Sequence, residues 1–218
     1  MTRLILVRHG QSFANLERIS SGQLDFPLTE LGHKQAKAIA NALLSNHHID
    51  VIYASDLRRA VDTATPTAEQ LGLPIHTDRR LREIDTGEWA GLPFEVREAR
   101  NPNEYRTLRE DYSHMRFPGG ESIAEVYRRV VECVLEITKK HNGQCVMITA
   151  HAGALRTFAA YVHGFAEDEV GLSPASGENA SIQIYDYNEA TSQFNCVLPI
   201  TTDHLKDLSL VTDEHSKI

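Results

Sequence analysis

The sequence predicts an α/β domain with helices on both faces of a mostly parallel sheet. Three observations lead there. Short apolar runs at 4–7, 51–54 and 145–150 read as buried strands. Each is followed by a segment whose apolar residues recur at helical spacing, the pattern of a helix covering a sheet. The alternation continues without repeats or low-complexity linkers, so one three-layer α/β/α sandwich over residues 1–218 accounts for the chain.

The first strand, Leu4-Ile5-Leu6-Val7, ends in Arg8-His9-Gly10-Gln11-Ser12, with Asn15 just beyond. Ligands of open α/β sheets bind outside the carboxyl ends of the strands, so this cation and imidazole stand where an anion would bind. A surface Arg-His pair is the plain alternative. Residues 10–28 read as a loop, and Thr29 caps a helix to about Ser45 that stripes Leu31, Ala36, Ile39, Ala40, Leu43 and Leu44. After the strand Val51-Ile52-Tyr53-Ala54, Ser55 is the expected N-cap of a helix through Arg58, Arg59, Ala60 and Ala64 to about Leu71. Pro66 inside that pattern predicts a kink or break.

Ile75-His76-Thr77 is a third strand leading to Arg82-Glu83-Ile84-Asp85. Residues 86–121 are irregular, with helices expected near Phe94 to Arg100 and Tyr105 to Asp111, as a lid or insertion over the sheet edge. Ser122-Ile123-Ala124-Glu125 has capping-box spacing. It opens a helix striped by Ile123, Val126, Tyr127, Val130, Val134 and Ile137 and closed by Lys139, Lys140 and Gly143. The strand Cys145 to Ala150 delivers His151, and the next helix carries Leu155, Phe158, Ala159 and Val162 to His163-Gly164. Alternation over 181–186 and near 194–198 predicts an antiparallel pair at the edge, and the polar tail from Asp207 is expected to fray.

A net charge of −8 and a pI near 5.7 argue against a nucleic-acid or membrane-surface partner, which requires a basic face. No apolar run approaches the roughly 20 residues of a membrane span, and the amino terminus lacks secretory blocks, so a cytoplasmic location is expected. Cys133, Cys145 and Cys196 suggest neither a disulfide framework nor a thiolate metal site. If the strands are parallel neighbours, Arg8, His9, Arg59 and His151 converge. An anionic ligand completes such a cluster, because uncompensated like charges are costly in a low-dielectric site.

These residues resemble the histidine phosphatase superfamily, the phosphoglycerate mutase-like clan. The match runs through Arg8-His9-Gly10-Gln11-Ser12-x-x-Asn15, then Gly22 to Asp25-x-Pro27-Leu28-Thr29-x-x-Gly32-x-x-Gln35-Ala36, then Ser55-Asp56-Leu57-x-Arg59-Ala60-x-x-Thr63-Ala64. It continues with Leu81-x-Glu83, Gly87-x-Trp89-x-Gly91, Pro118-Gly119-Gly120-Glu121-Ser122, His151-Ala152-Gly153, Asn179-Ala180-Ser181-Ile182 and His204-Leu205. The resemblance implies a phosphoglycerate mutase-like fold and a phosphomonoesterase acting on a small phosphorylated metabolite, with no metal or other cofactor. It leaves a homodimer open.

The resemblance also assigns roles. His9 would be the nucleophile, its other ring nitrogen held protonated by a backbone carbonyl. Arg8, Arg59, His151 and Asn15 would hold phosphoryl oxygens, and Glu83 would be the proton donor and then the base. Ser21, Gly22, Gln23 and Ala152 complete the expected substrate contacts. Asp85 and Glu88 are rival acids, and Glu83 could instead pair with Arg79, Arg80 or Arg82. Arg58 is expected to be solvated, and Trp89 to pack. Any of Arg82, Arg97, Arg109 and Arg116 could hold a second acidic group of the substrate. Ala152 stands where the family often has Gly, and Ser12 where Thr is commoner. The alternatives are mutase-type phosphoryl transfer, whose branch usually carries a longer basic insertion than the mixed-charge 86–121, and a non-catalytic member of the fold.

Overall fold

A computed structural model describes residues 1–174 and 177–208. Its centre is β1 (Thr2–Arg8), with β2 (Val51–Ala54), β3 (Ile75–Thr77) and β4 (Cys145–Ala150) on one side and β5 (Ile182–Asn188) and β6 (Gln193–Thr201) on the other. The six strands lie in the order β3-β2-β4-β1-β5-β6. The first four of that row are parallel, and β5 runs antiparallel to both β1 and β6. This is the mixed α/β sheet that the strand–helix alternation predicts, with the antiparallel pair at one edge.

The inner strands carry continuous apolar runs, Leu4–Val7 in β1 and Cys145–Ile148 in β4, because both faces are covered. Successive side chains alternate faces. Leu4 and Leu6 join Ile148, Val130, Val134 and Phe158 in one core, while Ile5 and Val7 join Ile52, Met147, Ile39 and Leu43 in the other. The first core is roofed by α6 (Ile123–Lys140) and α7 (Ala152–Val162), the second by α2 (Glu30–Leu44) and α3 (Arg58–Leu71). A short α1 (Phe13–Leu16) follows β1, and α4 (Phe94–Arg100) and α5 (Pro102–Glu110) lie in the irregular middle. Among the described residues no helix is long and apolar enough to cross a membrane.

Local signals hold at α2, where the Thr29 side chain accepts from Gly32 N–H, and at α6, where Ser122 and Glu125 form the capping box. They fail at α3. Its N-cap is Leu57, and Ser55 Oγ instead accepts from Leu57 N–H. The Asp25 carboxylate, from the loop before α2, caps the helix by accepting from Arg58 N–H at 2.7 Å. A cap supplied from a distant segment leaves no local pattern. Pro66 does not break α3, which runs uninterrupted to Leu71. The proline removes a single bond there, and the flanking turns are fixed by burial of Thr63, Ala64, Thr67 and Ala68.

The middle segment also departs from expectation. Its second helix begins at Pro102, a residue suited to the first helical position. Residues from 94 to 117 wall a cavity that His9 also lines, at the carboxyl end of the central strand rather than over the sheet edge. Trp89 packs as expected: it is fully buried, meets Phe117 edge-on, and its indole N–H donates to Asn101 Oδ1 at 2.7 Å. The expected fraying beyond Leu208 concerns positions outside the described residues.

Candidate active site

Parallel pairing of β1 with β4, Arg8 opposite Ala150, brings the residues that follow each strand to one place. His9 and His151 stand there with ring centroids 5.1 Å apart. The next strand, β2, pairs Ala54 with Thr149, and the first turn of α3 carries Arg59 to the same spot. Arg59 and His151 are fully buried, and Arg8 and His9 are nearly so.

The loop after β1 is held from several sides. Gly10 N–H donates to Thr63 Oγ1 at 3.0 Å, and Gln11 N–H to Gln35 Oε1 at 2.8 Å. Thr29 Oγ1 donates to Gln11 Oε1 at 2.9 Å. Gly32 lies so close that a Cβ there would fall 2.1 Å from the Gln11 carbonyl oxygen. Thr29, Gly32, Gln35 and Thr63 therefore form a socket for the backbone on either side of Gly10.

Within that socket His9 Nδ1 lies 2.7 Å from the Gly10 carbonyl oxygen. A carbonyl only accepts, so Nδ1 carries the proton and the lone pair sits on Nε2. Burial, then the charges of Arg59 and Arg8, push the His9 pKa well below its ordinary value. His151 is lowered likewise, by burial first and then by Arg59, and neither of its ring nitrogens has a hydrogen-bond partner among the described residues. Both rings are neutral near pH 7.

Arg59 anchors its guanidinium on the carbonyls of Leu24 and Gly22, at 2.8 and 2.9 Å, while its buried Nε has no partner among the described residues. Burial lowers its pKa to about 10, which leaves it cationic. Arg8 donates to the Gly177 carbonyl at 2.6 Å. Asn15 Oδ1 accepts from Ser12 N–H, Ser12 Oγ and Asn179 Nδ2, leaving the amide nitrogen as its remaining donor on the cavity wall.

Glu83 faces this group and makes no ion pair among the described residues. Its Oε1 accepts from Ile84 N–H at 3.0 Å and Gly153 N–H at 3.1 Å, and the three arginines that could have claimed it are placed otherwise. Arg80 pairs with Asp78 and Glu136, Arg82 with Asp56, and Arg79 makes no ion pair among the described residues. Of the three candidate acids Glu83 lines the cavity, whereas Asp85 turns back onto Gly87 N–H and Glu88 lies off the lining.

Arg129, from α6, holds the Glu83 segment. It donates to the carbonyls of Arg80, Arg82 and Glu83 and, through Nε and Nη2, to both oxygens of Glu121. All five guanidinium N–H groups are used. Glu121 in turn accepts from Asp85 N–H at 2.8 Å. The short Pro118-Gly119-Gly120-Glu121 connection is thereby tied to the acid's backbone.

The cavity, about 520 Å³, is lined by Arg8, His9, Asn15, Ser21, Gly22, Glu83 and Ala152 from the sequence-based set. Arg59 and His151 lie behind that lining. Gln23 is turned aside: its amide donates to the Glu83 carbonyl and accepts from Arg82. Of the arginines considered for a second acidic group, Arg97 and Arg109 line the cavity, while Arg82 is paired with Asp56 and Arg116 with Glu125. Sequence reasoning missed Arg18, Tyr112, Gly153 and Arg156 on the same wall. Arg156 carried a usable signal, lying one helical turn beyond Ala152 on the same face.

The profile of the histidine phosphatase superfamily (branch 1) matches residues 4–197. The chain is 40% identical over 156 residues to phosphoserine phosphatase 1 of Hydrogenobacter thermophilus, covering 72% of this chain and 74% of that one. It is 31% identical over 195 residues to glucosyl-3-phosphoglycerate phosphatase of Mycolicibacterium vanbaalenii, covering 86% of each. Among solved structures, YhfR of Bacillus stearothermophilus superposes with a TM-score of 0.85 at 29% identity, covering 94% of this chain and all of that one.

Proposed function

The chain belongs to branch 1 of the histidine phosphatase superfamily, and on that premise we propose that it hydrolyses small phosphomonoesters through a phosphohistidine formed on His9. The observation that carries the proposal is the His9 Nδ1 contact with the Gly10 carbonyl at 2.7 Å, which leaves Nε2 as a neutral nucleophile in a cation-rich cavity. Arg8 and Arg59 take the charge on the phosphoryl oxygens, with Asn15 and the His151 ring as further partners. Such alignment and charge stabilisation are most of what phosphoryl transfer asks of a protein.

In the first step the Nε2 lone pair forms the N–P bond, the P–O bond to the alcohol breaks, and the departing oxygen takes a proton from Glu83. In the second, ionised Glu83 takes a proton from water, the water oxygen bonds to phosphorus, and the electron pair of the N–P bond returns to His9. Phosphate leaves and Glu83 is protonated again. The fixed backbone donors on Glu83 keep its carboxyl beside the leaving oxygen in the first step and the attacking water in the second. The two relatives named above are a phosphoserine phosphatase and a glucosyl-3-phosphoglycerate phosphatase, which supports a small phosphorylated metabolite as the substrate class here. The same proposal places the enzyme in the cytoplasm, on the strength of three cysteines that form no disulfide: Cys133, Cys145 and Cys196.

A screen of phosphorylated metabolites by phosphate release, with His9→Ala as the blank, tests this reading. Wild type is expected to release phosphate and to yield an acid-labile phosphoryl label at His9 when quenched during turnover. Undiminished activity of the variant overturns the nucleophile assignment, and isomerised product instead of free phosphate would make the protein a mutase.

A further inference from the structure

Four arginines that the phosphoryl chemistry does not use line the cavity, Arg18, Arg97, Arg109 and Arg156, and two of them, Arg97 and Arg156, are stacked on aromatic rings. Arg156 projects from α7 and lies over the ring of Tyr112 at 4.1 Å. Its Nη2 donates to the carbonyls of Gly171 and Ser173, and its buried Nε has no hydrogen-bond partner among the described residues. Arg97, only 6% exposed, lies over the ring of Phe94 at 4.2 Å and near that of Trp89 at 5.6 Å. Its hydrogen bond is from Nε to the Phe94 carbonyl.

Arg18 has Glu95, Arg82 has Asp56, Arg116 has Glu125 and Arg129 has Glu121 as counterions, while Arg109, with no ion pair among the described residues, is exposed to water. Among the described residues Arg97 and Arg156 have none. Arg97 is held out of water and Arg156 is half-buried, each against an aromatic face that offsets only part of the lost hydration. Stacking also presents the edge of the guanidinium as a planar fork, the shape that meets a carboxylate through two parallel hydrogen bonds.

We propose that Arg156 and Arg97 form a second anion subsite, which receives a carboxylate on the alcohol portion of the substrate. The subsite rests on the phosphomonoesterase reading and narrows it to phosphorylated acids. Glu83, Glu110 and Asp111 line the same cavity, so a singly charged carboxylate suits it better than a second phosphoryl dianion. The volume suits a compact substrate.

The test compares phosphoserine with phosphoethanolamine, which differ by one carboxylate. A charge-assisted pair is worth about 1.5 to 3 kcal/mol, so wild-type kcat/KM should favour phosphoserine by at least about tenfold. R156M and R97M should each reduce that ratio at least about fivefold, with R156K between R156M and wild type. The ratio cancels the folded fraction, so a partly folded variant still reports. A wild-type ratio within threefold of unity, or variants that keep the wild-type ratio, overturns the subsite. Phosphate release from p-nitrophenyl phosphate alongside a ratio near unity would leave the phosphatase reading standing. No release from any of the three substrates and no label at His9 would remove the reading itself.

Discussion

Replacing Arg129 by methionine tests whether Glu83 is positioned from behind. The change removes five hydrogen bonds, three to the carbonyls of Arg80, Arg82 and Glu83 and two to Glu121. It leaves the Glu121 carboxylate with Asp85 N–H but no cation. Removing one partner of a buried ion pair costs about 3 to 5 kcal/mol. These side chains are 17% and 21% exposed, so water recovers part of that, and about 3 kcal/mol is expected. A domain with about 5 to 15 kcal/mol of stability remains folded after such a loss. Urea unfolding followed by the fluorescence of Trp89, the single tryptophan, would measure it. A merely structural role would leave kcat per folded molecule unchanged, whereas a positioning role lowers it about tenfold or more, because displacement of a catalytic group by about 1 Å can cost about 100-fold. Arg129→Lys, which keeps the charge but not the fork, should fall between the two. A stability loss under about 1 kcal/mol with unchanged kcat would refute the reasoning.

Two further outcomes follow from the site. In Gly153→Ala the new Cβ would sit 2.6 Å from Glu83 Oε1 and 2.5 Å from Ile84 Cδ1, so the carboxylate must move; kcat should fall about 100-fold, with a stability loss of about 1 to 3 kcal/mol. Steady-state kinetics with wild-type kcat in a folded variant would count against Glu83 as the proton donor. The second outcome concerns pH. The pKa values of His9 and His151 are lowered in the folded state, so below about pH 6.5 the unfolded chain binds protons that the native chain does not. Stability should therefore fall as pH drops from 6.5, by about 1.4 kcal/mol per pH unit for each buried imidazole until its native pKa is reached. His47 and His204 add to this with the same sign. Urea titrations in phosphate-free buffer from pH 7.5 to 5 would show it, and a flat profile would contradict neutral, buried imidazoles.

The sequence by itself determined the sheet and the chemistry it could carry. Runs such as Leu4 to Val7 and Cys145 to Ile148 state their burial on two faces directly, because a strand with one face in water would alternate apolar with polar residues. The residues ending those strands, Arg8, His9 and His151, name an anion site because residue type and strand end are both local facts. The helix caps at Thr29 and Ser122 were legible for the same reason. Where a partner comes from elsewhere in the chain, local pattern is silent. Asp25 capping α3, Gln23 turned toward Glu83 and Arg82, and Arg129 gripping three carbonyls depend on segments brought together by folding.

Only the tertiary structure decided which charges are neutralised. Sixteen arginines look alike in the sequence, yet Arg82 and Arg116 are paired with carboxylates, while Arg97 and Arg156 lie on aromatic rings beside the cavity with none among the described residues. A counterion is a matter of distance in space, and the charge left over after those distances are set is what a substrate meets.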